Sequence, residues 1–371
     1  MRKELFLGTT ALLAGAVAMP DYVSAEEPLR LQVRGYKNEF FGVGDVDDDT
    51  NPGFGNTGEF NDGEVHFKGD TDLDNGLTIG VDIQLEAFQS GDQIDEAYTW
   101  IDGDFGRVVI GSENLADYTS FWGATAPSVG IPINSGWITV FVPQPAGSGL
   151  SFRSPGLTTN VTLTNDTFQI SYLSPRFAGF QFTGGYAPTD ASSGNAKNAI
   201  TDTDVENHDI FGVGVNWGDS FNGVDLGFAA GYERASVADN VDALGGDDPQ
   251  LFKVGASLGF AGFTVAGSYA NEFDGRNNAT RTVSEEGQSF DVGASYATGP
   301  WGVSATYFHG EEEDLLADPD DDEVDAFVGA VSYALGPGIT TSLSVIHGKY
   351  DNEDGIESEA TMGVIGLAVK F

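Results

Sequence analysis

The chain has 371 residues, no cysteine and a formal net charge of −41 at pH 7. This acidic balance argues against nucleic-acid binding, which requires clustered lysine and arginine. Such a charge is also typical of disordered chains, but 26 Phe, 12 Tyr and 5 Trp indicate a protein that folds. With no Cys and only 4 His, thiol and metal chemistry find little support in the composition.

The first 25 residues are predicted to be a secretory signal. Arg2 and Lys3 supply a positive start, residues 5–19 form a short apolar stretch, and residues 23–25 place small side chains where a signal peptidase cleaves. The alternative is an amphipathic or membrane-spanning first helix, but the stretch is shorter than the roughly 20 residues that cross a bilayer. We expect cleavage after Ala25 and a single domain over residues 26–371.

From Leu29 onward, apolar residues alternate with polar or small ones, which is typical of β-strands. In residues 77–87 every odd position is apolar and every even position is polar or Gly, and residues 252–260 repeat the pattern. The pattern predicts about sixteen strands, most of them near the 9–11 residues that cross a bilayer on a tilt. The predicted strands are 29–41, 63–70, 76–88, 94–102, 105–113, 166–174, 179–188, 207–218, 222–235, 249–260, 262–274, 287–298, 301–311, 323–335, 338–350 and 360–371.

The connections between these strands alternate between short and long. The long ones are 42–62, 114–165, 188–206, 236–248, 275–286, 312–322 and 351–359, and the brief segment 89–93 is the exception. Short turns opposite long loops are typical of a transmembrane barrel, whereas a soluble sandwich has no reason to place its long loops at one end. The predicted fold class is therefore all-β: a 16-stranded antiparallel transmembrane β-barrel, closed so that every backbone group is paired.

A barrel of this size is too wide for side chains to fill, so we expect an aqueous channel. Gly and Ser at inward positions agree with a wet lumen. Trp100, Phe105, Trp217, Phe221 and Trp301 lie near the short turns, where an aromatic girdle is expected at the membrane interface. The alternative is that these rings plug the core.

Four segments resemble the trimeric porins of Gram-negative outer membranes. They are residues 64–69 (EVHFKG) with 73–78 (LDNGLT), residues 94–98 (IDEAY) with 103–107 (GDFGR), residues 171–180 (SYLSPRFAGF), and the final Phe371. The similarity covers the whole chain after the signal. It implies an outer-membrane homotrimer that lets small hydrophilic solutes diffuse passively. It also implies insertion by the outer-membrane assembly machinery, for which an alternating last strand ending in Phe371 is the signal.

The resemblance further implies that the third long connection folds into the lumen and narrows it. Residues 114–165 are by far the longest connection, as that role requires. Family members often present acids to the pore from this loop, but residues 130–133 and 137–142 are apolar here. Glu113 and Asp117, near its start, are the candidate acids.

Inward positions define a candidate constriction. Alternation places Arg34 of the first strand inward, with His66 and Lys68 of the second, Asp82 of the third and Glu96 of the fourth. Opposed charges in a narrow pore create a transverse field that favours polar solutes. Our hypothesis is that Arg34, His66 and Lys68 form a basic wall facing acids of the third loop; the alternative is scattered, hydrated lumen charges.

The loops are rich in acids. Asp45, Asp47 and Asp49 resemble the start of a Ca²⁺-binding loop, but Thr50 replaces the required Gly and no Glu occupies the twelfth position, so an EF-hand is rejected. Looser binding of structural Ca²⁺ or Mg²⁺ that bridges to lipopolysaccharide is one interpretation, and solvated loop charge is the other. Acidic loop mouths also enrich cations, so we expect weak cation selectivity.

Residues 255–259 (GASLG) match the G-x-S-x-G motif of hydrolases, but that motif needs a strand-to-helix turn and here lies inside an alternating strand. We therefore expect no enzyme and no cofactor. The leading function is a passive channel. The alternatives are a solute-selective channel of the same fold, a structural or adhesive barrel, and a secreted β-rich hydrolase.

Overall fold

The structure is a computed structural model. It describes residues 29–48, 53, 55–87, 93–121, 124–134, 136–145, 150, 153–190, 201–204, 207–275, 286–313, 322–352 and 355–371. The predicted signal, residues 1–25, lies outside the described residues. Within this part of the chain, no helix has the length and apolar composition needed to span a membrane.

Sixteen strands form one closed barrel in which each strand pairs antiparallel with its neighbours in sequence and β1 pairs with β16. The strands are β1 (Arg30–Asp48), β2 (Thr57–Asp72), β3 (Thr78–Glu86), β4 (Ala97–Gly103), β5 (Gly106–Ser112), β6 (Phe168–Leu173), β7 (Phe180–Thr189), β8 (His208–Phe221), β9 (Val224–Ser236), β10 (Gln250–Phe260), β11 (Phe263–Asp274), β12 (Gly287–Thr298), β13 (Trp301–Glu312), β14 (Asp322–Gly336), β15 (Ile339–Asp351) and β16 (Glu357–Lys370). Two short helices, α1 (Ala116–Thr119) and α2 (Asp239–Asp242), and a 3₁₀ turn (Trp137–Val140) lie in connections. The predicted fold class is confirmed.

Each of the sixteen predicted strands has its counterpart, but β1 and β2 are longer than predicted. They continue to Asp48 and from Thr57, where a loop over 42–62 was expected. The outward side chains of β1 change there from apolar (Phe41 and Val43) to acidic (Asp45 and Asp47). The apolar alternation therefore stops, although the ladder from β1 to β16 continues. Strand pairing therefore extends past the apolar band.

Short turns close one end of the barrel. The turns between β8 and β9 and between β10 and β11 have two residues each, and Asn222 and Gly223 adopt φ of 52° and 82°. Positive φ at both central residues is the type I′ geometry that suits the twist of a hairpin, and Asn-Gly adopts it readily. The longest connection, residues 113–167 between β5 and β6, starts from the opposite end. We call these residues the third loop.

The outer surface is apolar, as a lipid-facing barrel requires. Large exposed side chains alternate along the strands, among them Val33, Phe67, Val213, Val265, Val292, Leu343, Val345, Ile365 and Leu367. Trp217, Phe221 and Trp301 lie near the short turns, and Phe221 and Trp301 are exposed, as the girdle prediction requires. Trp100 departs from it: the side chain is buried, points inward over Gly80 and has Lys68 Nζ 5.1 Å from its ring centroid.

Candidate functional site

The third loop lies inside the barrel against the inner faces of β8 to β16. Its outgoing arm passes β12 and β13, where the backbone N–H groups of Ala126 and Val129 donate to Asp291 (3.0 Å) and Ser304 (3.1 Å). Ile131 N–H then reaches Ser344 of β15 at 3.3 Å. The loop therefore folds into the barrel, as the family resemblance implied. It follows the wall instead of crossing the lumen.

Wall glycines make this close approach possible. A Cβ added at Gly255 of β10 would lie 2.7 Å from the Cβ of Ala124, and one added at Gly42 of β1 would lie 2.8 Å from the ring of Phe141. Both distances are shorter than van der Waals contact. Inward Gly and Ser were interpreted as lining a wet lumen, but many of them lie beneath the loop, so that interpretation fails for this wall. We call the inner faces of β8 to β16, together with Phe40 and Gly42 of β1 and Phe60 of β2, the covered wall.

The apolar stretches of the third loop are explained by the same packing. Ile131, Ile133, Ile138 and Val142 are almost completely buried against apolar wall residues of β13 to β16. The Trp137 ring lies 5.8 Å from Phe40 and 5.0 Å from Phe60, centroid to centroid. These side chains dock the loop, so they replace the pore-facing acids that the family pattern often has.

Three buried carboxylates on the covered wall bind the loop. Glu233 of β9 accepts from Leu163 N–H at 2.7 Å, Glu312 of β13 accepts from Gly156 N–H at 3.0 Å, and Asp291 of β12 accepts from Ala126 N–H. Sequence alternation places all three inward, but nothing local distinguishes a loop anchor from a lumen charge. The contact partners are more than 69 residues away in sequence, so the sequence analysis missed them.

Asp117 does not face the basic side chains. Its carboxylate is fully buried 3.3 Å from Lys253 Nζ of β10, and a Cβ at Gly212 or Gly214 of β8 would collide with it. The acid is held here because Lys253 is the cation that compensates for its loss of hydration. The predicted opposition between a basic wall and Asp117 is thus replaced by an ion pair under the loop.

Arg34, His66 and Lys68 do come together, around Asp82. Lys68 Nζ lies 2.9 Å from the Asp82 carboxylate, His66 Nδ1 and Arg34 Nη2 each lie 3.7 Å from it, and Asp82 itself is buried. The Arg34 side chain is 50% exposed, so this basic group presents positive charge to the lumen. The buried Asp82 carboxylate lies on the side of the group away from the lumen. The remaining inner faces of β1 to β5, which carry these residues, are called the open wall.

An acidic group adjoins the basic one. Glu64, Asp95 and Glu96 each bring a carboxylate oxygen to within 4.8 Å of the others, and His66 Nε2 lies 3.4 Å from Glu64. Burial, with Asp166 and Asp95 nearby, raises the pKa of Glu113, which also shares a hydrogen bond with Glu96. Glu96 and Glu113 are therefore neighbours at the root of the third loop. Asp95 was not predicted, because alternation along the predicted strand 94–102 places it on the face opposite to Glu96. The observed strand begins only at Ala97, so alternation does not hold at this position.

The remaining candidates lie elsewhere. Asp45 and Asp47 are on β1 at the same register as Thr361 and Glu359 of β16, and Asp49 lies outside the described residues. The G-x-S-x-G segment lies inside β10, where Ser257 pairs with Gly227 and Ala266 on the neighbouring strands. The strand-to-helix turn that would expose a nucleophile is not formed there.

The closed barrel, its apolar outer band and its inward loop define an outer-membrane pore protein. The chain matches the family model described as Gram-negative porin over residues 8–355 and belongs to that family. It is therefore an outer-membrane protein of the diffusion-channel class.

Solved structures share the fold. An anion-selective porin from Comamonas acidovorans is 16% identical with a TM-score of 0.61, over 93% of this chain and 100% of that one. The trimer form of OmpT, an outer membrane protein of Vibrio cholerae, is 13% identical with a TM-score of 0.60, over 93% and 100%. A triple mutant of the Rhodopseudomonas blastica porin is 18% identical with a TM-score of 0.51, over 92% and 100%. The comparison with curated proteins finds no match.

Proposed function

We propose that the chain forms a water-filled channel for passive diffusion of small hydrophilic solutes and ions, with weak selectivity for cations. The observation that carries this proposal is the contrast between the two walls: the loop packs against small and apolar side chains, whereas the open wall presents Arg34, Lys68 and the acidic group. A solute path along the open wall is lined by charge. Charged and polar linings let hydrated solutes pass and disfavour apolar ones.

Reconstitution tests the channel directly. Purified protein in planar bilayers should give stable single-channel conductance, and proteoliposomes should swell in small sugars with a rate that falls smoothly as solute size increases. Solute-dependent block of the current at millimolar concentration would instead favour a solute-selective channel. Zero conductance from correctly folded protein would contradict the proposal and favour a structural or adhesive barrel.

Cation selectivity is supported by the acidic group at the loop root and by the net charge of −41. Negative potential raises the local concentration of cations, although salt screens exposed charges over a Debye length of about 8 Å at physiological ionic strength. A reversal potential in a KCl gradient measures the preference. A reversal potential that favours chloride would contradict it.

Homotrimer formation is supported by polar side chains on the outer surface. Lys37 and Glu39 of β1 form an ion pair of 3.2 Å, Lys37 donates to Asn61 at 2.7 Å, and Glu39 is in register with the lipid-facing Leu367. Charge that faces lipid near the bilayer midplane costs about 2–4 kcal/mol, which contact with another protomer would remove. Semi-native electrophoresis should show a trimer that Glu39→Leu with Lys37→Leu weakens; an unchanged trimer would place the interface elsewhere.

Export and assembly complete the proposal. Residues 1–25 direct export, Phe371 serves recognition by the assembly machinery, and acidic loops contact lipopolysaccharide through Ca²⁺ or Mg²⁺. Phe371 closes the ladder with β1 by paired hydrogen bonds with Gly35 of 2.9 and 3.0 Å, so its ring stands at the end of an otherwise regular strand. N-terminal sequencing of the outer-membrane protein and the outer-membrane yield of Phe371→Ala test the first two parts, and chelator sensitivity tests the third.

A further inference from the structure

A buried lysine of the covered wall contacts both arms of the third loop. Lys253 Nζ of β10 donates to the carbonyl of Val161 at 2.7 Å and lies 3.3 Å from Asp117, and the Lys253 and Asp117 side chains are both 0% exposed. Asp117 belongs to the outgoing arm and Val161 to the returning arm. One ammonium group therefore joins the two arms to each other and to the barrel.

The neighbourhood of Lys253 extends this link to β9. Glu233 Oε1 lies 3.7 Å from Lys253 Nζ, while Oε2 of the same carboxylate accepts from Leu163 N–H at 2.7 Å and Thr162 Oγ1 at 3.1 Å. The rings of Tyr118 and Phe121, in the outgoing arm, lie 5.0 and 5.7 Å from the ammonium, a distance at which the ring faces attract a cation. The cation is thus enclosed by two acids, a carbonyl and two rings.

Asp117 depends on this one cation for charge compensation. Both Asp117 oxygens are buried beside the Glu233 carboxyl, and among the described residues Lys253 is the cation within ion-pair distance of them. Removal of one partner of a buried pair leaves an uncompensated charge, which favours movement of that charge into water. For Asp117, the adjacent water is the lumen, so the outgoing arm would move into the pore.

The other anchors lie farther along the loop. Asp291 accepts from Ala126 N–H and from the Asn134 side chain. Glu312 accepts from Gly156 N–H and from the Ser154 hydroxyl, so each of these two acids holds one arm. Neither reaches the start of the outgoing arm.

At the start of the outgoing arm, Asn114 donates to Asp166 of the returning arm at 2.8 Å and accepts from Arg153 at 3.0 Å. Loss of the Lys253 link would therefore leave Asn114 and the apolar tip held, while Asp117 and its neighbours lose their ion pair with the wall.

We propose that Lys253 is the positioning residue of the pore constriction: by binding Asp117, Val161 and Glu233 together, it holds both arms of the third loop against the wall and sets the free width of the lumen. The proposal rests on the channel function proposed above. Lys253 contacts no solute in this role, because it is covered by the loop.

The test compares single channels of wild type, Lys253→Met and Glu233→Gln. Lys253→Met keeps the length of the side chain and removes the charge, so we expect open-channel current noise to rise several-fold and the conductance to split into unequal levels. Glu233→Gln keeps an acceptor for Leu163 and leaves Asp117 paired, so it should give a smaller rise. Lys349→Met, on the outer surface of β15, is the matched control and should behave as wild type.

An engineered disulfide provides the decisive test, because the chain has no cysteine of its own. Thr159 of the returning arm and Ser268 of β11 have their hydroxyl oxygens 2.6 Å apart, so Thr159→Cys with Ser268→Cys places two thiols in contact. Oxidation of this pair in the Lys253→Met background should lower the noise toward the wild-type level, and reduction should restore it. A general folding defect would not respond to the disulfide in this way.

Quiet, unsplit currents from folded Lys253→Met would overturn the positioning role, as would noise that oxidation of the cysteine pair leaves unchanged. If Lys253→Met fails to assemble, Glu233→Gln and Asp117→Asn decide: wild-type noise in both contradicts the proposal. Absence of conductance in the wild type is a separate result, which would contradict the channel function itself.

Discussion

The covered wall and the open wall are built from the same strand alternation, yet they differ in nearly every inward side chain. The covered wall presents Gly, Ser and Ala and buries its carboxylates against loop N–H groups. The open wall presents Arg34, His66 and Lys68 beside Glu64 and Glu96. Small residues of the covered wall leave the space that the loop backbone fills, and its charged residues are buried beneath the loop, whereas Arg34 of the open wall stays exposed.

The two walls also handle their acids differently. Glu233 and Asp291 are buried, and each accepts hydrogen bonds from groups that are fixed in place. Glu64, Asp95 and Glu96 lie close to one another instead, where like charges repel. Buried acids that receive several donors stabilise a docked loop. In the clustered group, burial and the neighbouring acids raise the pKa of Glu96, so the local field of the group depends on pH. The first arrangement is suited to structure and the second to selectivity.

The largest effect should come from removing a docking side chain. Phe141→Ala deletes a ring that is 3% exposed between the loop and Gly42 of the wall. Truncation of a buried Phe costs about 3–5 kcal/mol, so urea titration in lipid should show destabilisation of that order and single channels should become noisier. Phe177→Ala, in an exposed short turn, is the control. Equal stability of the two variants would show that the tip is not docked.

A smaller loss should follow when a wall glycine is enlarged. Gly255→Val places methyl groups where Ala124 already lies 2.7 Å from the first added carbon, and overpacking of this kind costs about 1–3 kcal/mol. Gly218→Val is a matched control on the same inner surface, because its added carbon meets nothing nearer than 3.8 Å. The difference in unfolding free energy between these two variants measures the contact with the loop. No difference would contradict the covered wall.

Charge removal on the open wall should change selectivity more than stability. A unit charge acting over roughly 8 Å of water contributes about 0.5 kcal/mol, or about 0.2 kcal/mol once salt screens it over one Debye length. Because the sign is opposite for cations and anions, Lys68→Ala or Arg34→Ala should raise the cation-to-anion permeability ratio roughly twofold. Reversal potentials in a KCl gradient give this ratio, and Lys349→Ala on the outer surface is the control. If conductance and selectivity stay unchanged in both open-wall variants, these residues do not line the pore.

The smallest expected effect is a pH dependence at the loop root. Because burial raises the pKa of Glu113, this carboxyl still holds its proton at pH values where an exposed Glu is ionised. Cation preference should therefore increase as the pH rises from 5 towards and beyond neutrality, and Glu113→Gln should flatten that increase. The pH dependence of stability has the opposite sign. Because the folded state binds the Glu113 proton more tightly than the unfolded state does, this carboxyl stabilises the fold at low pH, and its contribution is lost as the pH rises. A wild-type preference that is already constant above pH 5 would contradict the assignment.

Strand positions were predictable because a period of two is a local property that lipid and water enforce on every strand. The same alternation predicted that Arg34, His66, Lys68 and Asp82 share an inner face. It failed where long-range contact decides the outcome. Asp117 was expected in the pore, but its partner Lys253 lies 136 positions later in the chain.

Trp100 shows a different error, at short range. A tryptophan near a short turn suits the membrane interface, but this ring fills the space over Gly80 and lies beside Lys68 and Arg107. The alternation that places Glu96 inward also places Trp100, on the same strand, on the inner face. The girdle assignment gave more weight to the nearby turn than to this alternation, and Gly80 directly across leaves the space for the ring.

The contact between Phe141 and Met362 at Gly42 has a consequence for the order of events in biogenesis. The third loop emerges between β5 and β6, yet its tip packs where the last strand meets the first. That surface does not exist until the cylinder has closed. The tip of the loop can therefore reach its final packed position only after β1 and β16 have paired.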